Sequence, residues 1–180
     1  MKLRHLFFAC SGVFVMMFSL LLLVVIVFSD EEDGGSGGNL IYGGVSVSQE
    51  VLAHKPMLEK YAREYGIEGY LNVLLAIIQV ESGGTLEDVM QSSESLGLPP
   101  NSLSTEESIK QGCKYFSELL AAAEAKGCDL NSVVQSYNYG GGFLDYVAGR
   151  GKKYTFELAE SFARDKSGGK KVTYTNPVAV

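Results

Sequence analysis

Residues 70–84, which run YLNVLLAIIQVESGG, decide the fold class of this chain. Nearly every residue from Leu71 to Val80 is apolar, so a helix formed by this stretch is apolar on almost every face. Such a helix is usually central and buried. We therefore predict a helix over about Tyr70–Ser82 that forms the centre of a folded domain.

Further helices are predicted on both sides of this central one. One is predicted over about Glu50–Tyr65, where the apolar residues form a stripe. A capping box at Ser46 and Gln49 should precede this helix, and Pro56 should kink or divide it. The others are Thr105–Lys126 with the capping box Ser104/Glu107, Leu130–Tyr137 capped by Asp129, Phe143–Ala148 and Phe156–Lys166. No alternating run typical of a strand stands out. The fold class predicted is all-α, a compact helical domain over residues 46–169.

An apolar segment precedes this domain. Leu6–Phe28 holds no charged residue, and as a helix its 23 residues would extend about 34 Å, enough to cross the hydrocarbon core of a bilayer. Its length and the lack of a small-x-small site near Phe28 favour an uncleaved anchor over a signal peptide. Lys2 and Arg4 precede the segment, which predicts a cytoplasmic N-terminus and a C-terminal part outside the cell.

The domain organisation follows from these segments. Residues 1–29 are predicted to be a cytoplasmic tip and transmembrane anchor, and residues 30–45 a linker, because DGGSGGNLIYGG at 33–44 is rich in glycine. Residues 46–169 form the domain, and residues 170–180 are expected to be an extended tail.

Composition excludes several classes of function. The 13 basic and 21 acidic residues after position 29 give that part a net charge of −8, which argues against nucleic-acid binding. The only histidines are His5 and His54, and no group of His and Cys has the spacing of a metal site. Cys113 lies inside a predicted helix and Cys128 just past its end, which would hold them about 20 Å apart, too far for a disulfide. We expect no metal and no organic cofactor.

Glu81 is the candidate catalytic residue. It ends the apolar helix, where desolvation would raise the pKa of its carboxyl and allow it to act as a general acid near neutral pH. A solvated glutamate at a helix end is the simpler interpretation of this residue alone.

Two neighbouring segments strengthen the functional interpretation. DVMQSSES at 88–95 concentrates carboxylates, hydroxyls and an amide in a long loop, which suits hydroxyl-rich ligands. SYNYGGGF at 136–143 combines aromatic side chains that can stack on sugars with glycines that let a ligand approach the backbone. Each segment alone could equally be a polar surface loop or a glycine-rich turn.

In combination, these residues resemble a known family. A Glu-Ser-Gly after a hydrophobic helix, a Met-Gln loop and a Tyr-Asn-x-Gly turn are similar to the lysozyme-like superfamily of goose-type lysozymes and soluble lytic transglycosylases. ESGG, DVMQSSESLGLPPN and SYNYGGGFLDYV most resemble the lysozyme-like domain of CwlT-type cell-wall hydrolases, over about Val47–Thr175. A papain-like endopeptidase domain follows in bifunctional members of that branch. The present sequence holds no such domain, so we expect a single-domain relative or a truncated one.

The resemblance implies roles for individual residues. Glu81 matches the catalytic acid that protonates the bond between N-acetylmuramic acid and N-acetylglucosamine, and Asp88 matches a second carboxylate that CwlT-type muramidases need. Met90 and Gln91 match a cleft-lining pair, while Tyr137 and Asn138 match residues that position the sugar and the acid. Ser92, Ser93 and Glu94 belong to the same stretch as substrate-binding candidates without individual roles.

Asp88 bears on the type of reaction. Lytic transglycosylases use one catalytic carboxyl and release an anhydro product, and a glycine commonly stands where this chain has Asp88. A second carboxylate permits hydrolysis. The sequence therefore predicts a peptidoglycan hydrolase of the N-acetylmuramidase type, with a lytic transglycosylase as the alternative.

The resemblance and the anchor together imply a location and partners. An anchored external domain would meet peptidoglycan glycan strands at the cell wall, where it could open gaps for a secretion or conjugation apparatus. A non-catalytic peptidoglycan-binding scaffold of such a transfer apparatus is the alternative of another class, as is a generic anchored adaptor. The presence of both Glu81 and Asp88 favours an enzyme.

Overall fold

The computed structural model describes residues 40–42 and 45–167. Two short strands, β1 (Leu40–Tyr42) and β2 (Val45–Val47), form an antiparallel pair in which Leu40 faces Val47. Seven α-helices follow within the described residues: α1 (Gln49–Ala53), α2 (Lys55–Glu64), α3 (Leu71–Glu81), α4 (Thr105–Lys126), α5 (Leu130–Tyr139), α6 (Gly142–Ala148) and α7 (Phe156–Lys166). Single 3₁₀ turns occupy Glu68–Tyr70 and Ser93–Leu96.

The described part of the chain is mostly helical, as predicted, but the strand pair was not expected. β1 lies inside the segment predicted as a linker, and each strand has only three residues. A run that short is insufficient to display the alternation of polar and apolar residues by which strands are recognised.

The helix starting near residue 49 differs in detail from the prediction. It divides at His54, with Pro56 in the first turn of α2, as the sequence suggested. Its N-cap, however, is Ser48, whose hydroxyl accepts a hydrogen bond from the backbone N–H of Val51. The predicted capping box at Ser46 and Gln49 is wrong because Ser46 belongs to β2.

Helix α3 is the centre of the domain, as predicted. Its residues 73–78 are all buried, and α1, α2 and β2 pack against it. The capping box of Ser104 and Glu107 on α4 and the Asp129 cap on α5 are both present. These local signals therefore set the ends of the helices that surround the core.

A second, smaller cluster lies at the C-terminal side. Phe143 and Val147 of α6 pack against Ala159 and Phe162 of α7, separately from the main core. Tyr154 and Cys128 lie partly buried against both clusters. Helix α7 therefore depends on this small aromatic cluster for most of its buried contacts.

Several predictions concern residues at or beyond the limits of the described region. Leu6–Phe28, most of the glycine-rich segment and residues 170–180 lie outside it. Within the described residues, none of the helices has the length and apolar character needed to cross a membrane. The prediction for the cysteines is confirmed, since Cys113 and Cys128 are both free thiols.

Candidate active site

Glu81 is the last residue of α3 and lies between the buried helix and the loop that follows. The side chain is half-buried. Removal of water raises the pKa of the Glu81 carboxyl to about 8, with smaller contributions from the negative charges of Glu94 and Asp88. The carboxyl therefore carries a proton at neutral pH and can act as a proton donor.

The turn after Glu81 brings the next segment back towards the end of α3. Gly83 and Gly84 have φ values of +61° and +78°, which only glycine adopts at little cost. The Ser82 hydroxyl donates to the carbonyl of Val89 at 2.7 Å and accepts from the N–H of Gly84 at 3.0 Å. Ser82 thus links the residue next to Glu81 directly to the loop.

Helix α1 and its cap hold this turn from the other side. The His54 imidazole donates from Nε2 to the carbonyl of Gly84 at 2.9 Å, and the N–H of Ser48 donates to Gln79 Oε1 at 2.7 Å. A Cβ on Gly84 would lie 2.7 Å from the backbone of Glu50 and Val51. The close backbone contact therefore requires glycine at position 84.

Asp88 is fully buried, and both of its carboxylate oxygens are occupied. Oδ1 accepts hydrogen bonds from the N–H of Ser92 at 2.9 Å and from the hydroxyl of Ser108 at 2.6 Å. Oδ2 accepts from the N–H of Ser93 at 3.2 Å and from the Ser93 hydroxyl. Four donors satisfy this buried charge, so it organises the loop and has little capacity left to bind a water molecule.

Met90 and Gln91 are more deeply enclosed than a simple cleft lining suggests. Met90 is fully buried and Gln91 is 8% exposed. Gln91 has a φ of +46°, which is uncommon for a residue with a side chain. Its Nε2 donates to the carbonyl of Asp88 at 2.8 Å and to Asn101 Oδ1 at 2.7 Å, while its Oε1 has no hydrogen-bond partner.

The three remaining candidates of the loop divide into buried and exposed groups. Ser92 and Ser93 are buried, and the Ser92 hydroxyl donates to the carbonyl of Ser108 at 2.9 Å. Glu94 is exposed. Of the two carboxylates that raise the pKa of Glu81 by their charge, Glu94 has the larger effect and is the one that solvent reaches.

Tyr137 connects α5 to the same loop. Its hydroxyl donates to the carbonyl of Met90 at 3.1 Å, and its ring lies 5.5 Å from that of Tyr115. Burial, followed by the charge of Glu81, raises the pKa of the Tyr137 phenol, which keeps it a donor. Asn138, the next residue of the helix, is half-buried.

The structure thus brings Glu81, Asp88, Met90, Gln91 and Tyr137 into one connected region. Sequence reasoning missed Ser108 and Gly112 of α4 and also Asn101. A serine next to Ile109 on the apolar stripe and a glycine within a long helix were the available signals. Neither signal identifies its contacts, because these lie about twenty residues away along the chain.

Metal binding has no support in the described part of the chain. No three His, Cys, Asp or Glu side chains there come together in a way that could hold a metal ion. The site as described is built from carboxylic acid, hydroxyl, amide and phenol groups.

Comparison with known proteins gives close relatives. The bifunctional muramidase/DL-endopeptidase CwlT of Bacillus subtilis is 44% identical over 124 residues, which cover 68% of this chain and 37% of that protein. A pneumococcal vaccine antigen A homolog of Streptococcus pyogenes is 36% identical over 140 residues, 73% of this chain and 70% of that one.

A solved structure agrees with the fold. The crystal structure of a Staphylococcus aureus protein, described as similar to a lipoprotein of the NLP/P60 family, superposes with a TM-score of 0.71 and 73% identity. The match covers 74% of this chain and 45% of the other. This chain therefore spans less than half the length of that protein and of CwlT.

The family assignment rests on the whole described domain. A family model for lysozyme-like proteins matches residues 48–180, and the resemblance to CwlT-type proteins is confirmed by their sequence identity. With Glu81 at the end of the buried helix and the Asp88 loop beside it, this chain belongs to the lysozyme-like family.

Proposed function

We propose that this protein cleaves the glycan strands of peptidoglycan as an N-acetylmuramidase, at the bond between N-acetylmuramic acid and N-acetylglucosamine. The observation that carries the proposal is the half-buried carboxyl of Glu81 at the end of α3, which is protonated at neutral pH. Family membership and the similarity to CwlT, a muramidase/DL-endopeptidase, support peptidoglycan as the substrate.

In this mechanism Glu81 acts as the general acid. Its proton passes to the glycosidic oxygen as the bond to the anomeric carbon breaks, and positive charge develops on the sugar ring. The negative charge of Asp88 and Glu94 near the site favours that transition state electrostatically. In hydrolysis, water then adds to the anomeric carbon, and the proton that it releases restores the acid form of Glu81.

A lytic transglycosylase is the second candidate, and the geometry of Asp88 favours it. Both oxygens of Asp88 already accept hydrogen bonds from protein donors. A carboxylate in this state is poorly suited to orient an attacking water. In a transglycosylase the C6 hydroxyl of the sugar attacks instead, so no such water is needed.

The test compares Glu81→Gln with Glu87→Gln in the full-length protein, purified in detergent, on isolated cell-wall sacculi. Glu87 is an exposed glutamate of the neighbouring loop and serves as the matched control. Loss of the acid should reduce glycan cleavage at least about a hundredfold, while the control retains the wild-type rate. Full activity of folded Glu81→Gln would refute the proposed acid.

Product analysis separates the candidates. Mass spectrometry of the wild-type digest should show reducing N-acetylmuramic acid ends if the protein is a hydrolase and anhydro ends if it is a transglycosylase. Binding to sacculi without any cleavage by the wild type would instead support the scaffold alternative.

We also propose that Leu6–Phe28 anchors the chain in the cell membrane with the catalytic domain outside. The charge-free segment and the basic residues before it support this orientation. Action beside a secretion or conjugation apparatus stays a prediction from the resemblance.

A further inference from the structure

Helix α4 places a buried serine and a buried glycine on one face, one turn apart. Ser108 and Gly112 are four residues apart, so they lie next to each other on the helix surface. Glycine within a helix is destabilising relative to alanine, so its presence there calls for a structural reason. We define the face formed by these two residues as the α4 seat.

Gly112 gives two residues of the candidate site room to approach the helix. A Cβ at this position would lie 2.5 Å from Met90 Sδ and 2.8 Å from the hydroxyl oxygen of Tyr137. Both side chains are buried, and the Tyr137 hydroxyl is held by its bond to the Met90 backbone carbonyl, so an added methyl group would press on the Met90 side chain and on the Tyr137 hydroxyl.

Ser108 binds the same loop through three hydrogen bonds. Its hydroxyl donates to Asp88 Oδ1 at 2.6 Å and accepts from the N–H of Met90 at 3.0 Å. Its carbonyl accepts from the Ser92 hydroxyl at 2.9 Å. One turn of α4 therefore contacts the loop at three positions between residues 88 and 92.

The same loop is also linked to the residue that follows Glu81. Val89 accepts a hydrogen bond from Ser82, the residue directly after Glu81. A displacement of the loop away from α4 therefore alters its distance from the end of α3.

We propose that Ser108 and Gly112 are positioning residues that set the distance of the Asp88 loop and Tyr137 from Glu81. This deepens the proposed function and rests on it. Neither residue touches the carboxyl of Glu81 in the described contacts, so each acts through Asp88, Met90 and Tyr137.

The proposal predicts a particular change in pH dependence. The groups that act on Glu81 are Asp88 and Glu94 of the loop, and Tyr137 of α5 lies within its electrostatic influence. If the loop moves away, Glu81 regains water and the charge of Asp88 recedes. Both changes lower the pKa of Glu81 from about 8. Because a general acid must be protonated, the fall in activity at alkaline pH should then begin at a lower pH than in the wild type.

The experiment uses full-length Gly112→Ala and Ser108→Ala on sacculi across a pH series. The control is Gly69→Ala, because a Cβ at Gly69 meets nothing within 4 Å. Both test variants should lose at least about tenfold in kcat, with a smaller change in KM and an alkaline limb at lower pH. The control should match the wild type in all three quantities.

Three results would overturn the proposal. The first is a wild-type rate and pH profile in folded Gly112→Ala and Ser108→Ala. The second is a uniform loss of rate with an unchanged pH profile, which would indicate lost folded protein alone. The third is failure of both variants to fold, which would assign the α4 seat to folding. If only Gly112→Ala fails to fold, Ser108→Ala decides.

A substrate-free measurement separates this proposal from the proposed function. Carboxyl carbon NMR of Glu81 should give a lower pKa in both variants than in the wild type and in Gly69→Ala. If the wild type cleaves no glycan, the proposed function fails, but the titration still reports whether the α4 seat positions the loop. An unchanged Glu81 pKa in both variants would contradict the positioning role.

Discussion

At the scale of single residues, the raised pKa of Glu81 keeps its carboxyl protonated near neutral pH but makes its ionisation at higher pH destabilising. Its pKa is about 8 in the folded protein and near 4.5 in the unfolded chain, so the folded state holds the proton more tightly. The contribution of Glu81 to stability is therefore largest below about pH 4.5 and declines as the pH rises towards 8.

Glu81→Gln should remove this decline, because glutamine does not ionise. At about pH 9 the variant should have a larger free energy of unfolding than the wild type, and near pH 4 the two should agree. The upper bound is about 1.4 kcal/mol for each pH unit between the two pKa values, reduced because the side chain is only half-buried. Urea denaturation across the pH range measures the difference, and parallel curves at all pH values would contradict it.

Asp88 differs from Glu81 because protein N–H and O–H groups donate hydrogen bonds to both of its carboxyl oxygens. Asp88→Asn places an amide group against N–H and O–H donors inside the protein. We expect a loss of about 2–4 kcal/mol in the free energy of unfolding.

Asp145→Asn is the comparison for this effect. Asp145 forms an ion pair with Lys126 at 2.8 Å, but its side chain is 72% exposed. Its replacement should cost less than about 1 kcal/mol. Equal losses for Asp88→Asn and Asp145→Asn in chemical denaturation would show that the buried hydrogen bonds of Asp88 contribute little.

At the scale of secondary-structure elements, the contact between α1 and the turn after α3 depends on Gly84. Gly84→Ala should lower the free energy of unfolding by about 2–4 kcal/mol, because strain at positive φ adds to a backbone clash. Gly66 has a similar φ of +69° but open space around it, so Gly66→Ala should cost about 1 kcal/mol. Thermal or urea unfolding of the two variants isolates the clash, and equal losses would rule it out.

The helices were predictable from sequence because their determinants are local. The apolar run of 71–80, the Ser104 capping box and the Asp129 cap each act within a few residues of one another. The strand pair and the exact N-cap of α1 were not predictable in this way. Ser46 and Ser48 are both plausible N-caps near the start of the helix, and the strands are only three residues long.

The candidate site was predictable only in part, for the same reason. Glu81 could be recognised from its place at the end of a buried helix. That Asp88 bonds to Ser108 could not, because the two are 20 residues apart and meet through the packing of α4 against the loop. The sequence thus indicated the candidate groups but not the helix that packs against their loop.

At the scale of the whole molecule, the anchor proposal makes a separate prediction. The full chain expressed in bacteria should remain in the membrane fraction after an alkaline wash, and protease added outside the cell should degrade the domain. A variant lacking residues 1–29 should leave the membrane fraction. Recovery of the full chain in the soluble fraction would contradict the anchor.

The separate aromatic cluster under α7 has a consequence for how the molecule opens. Because Phe143, Val147, Ala159 and Phe162 form their own small group, the amides of α7 depend on far less buried surface than those of α3. Hydrogen–deuterium exchange should therefore show two tiers, with α7 exchanging through local opening and α3 only when the whole domain unfolds. The C-terminal helix can loosen in this way while the acid and its loop stay in place.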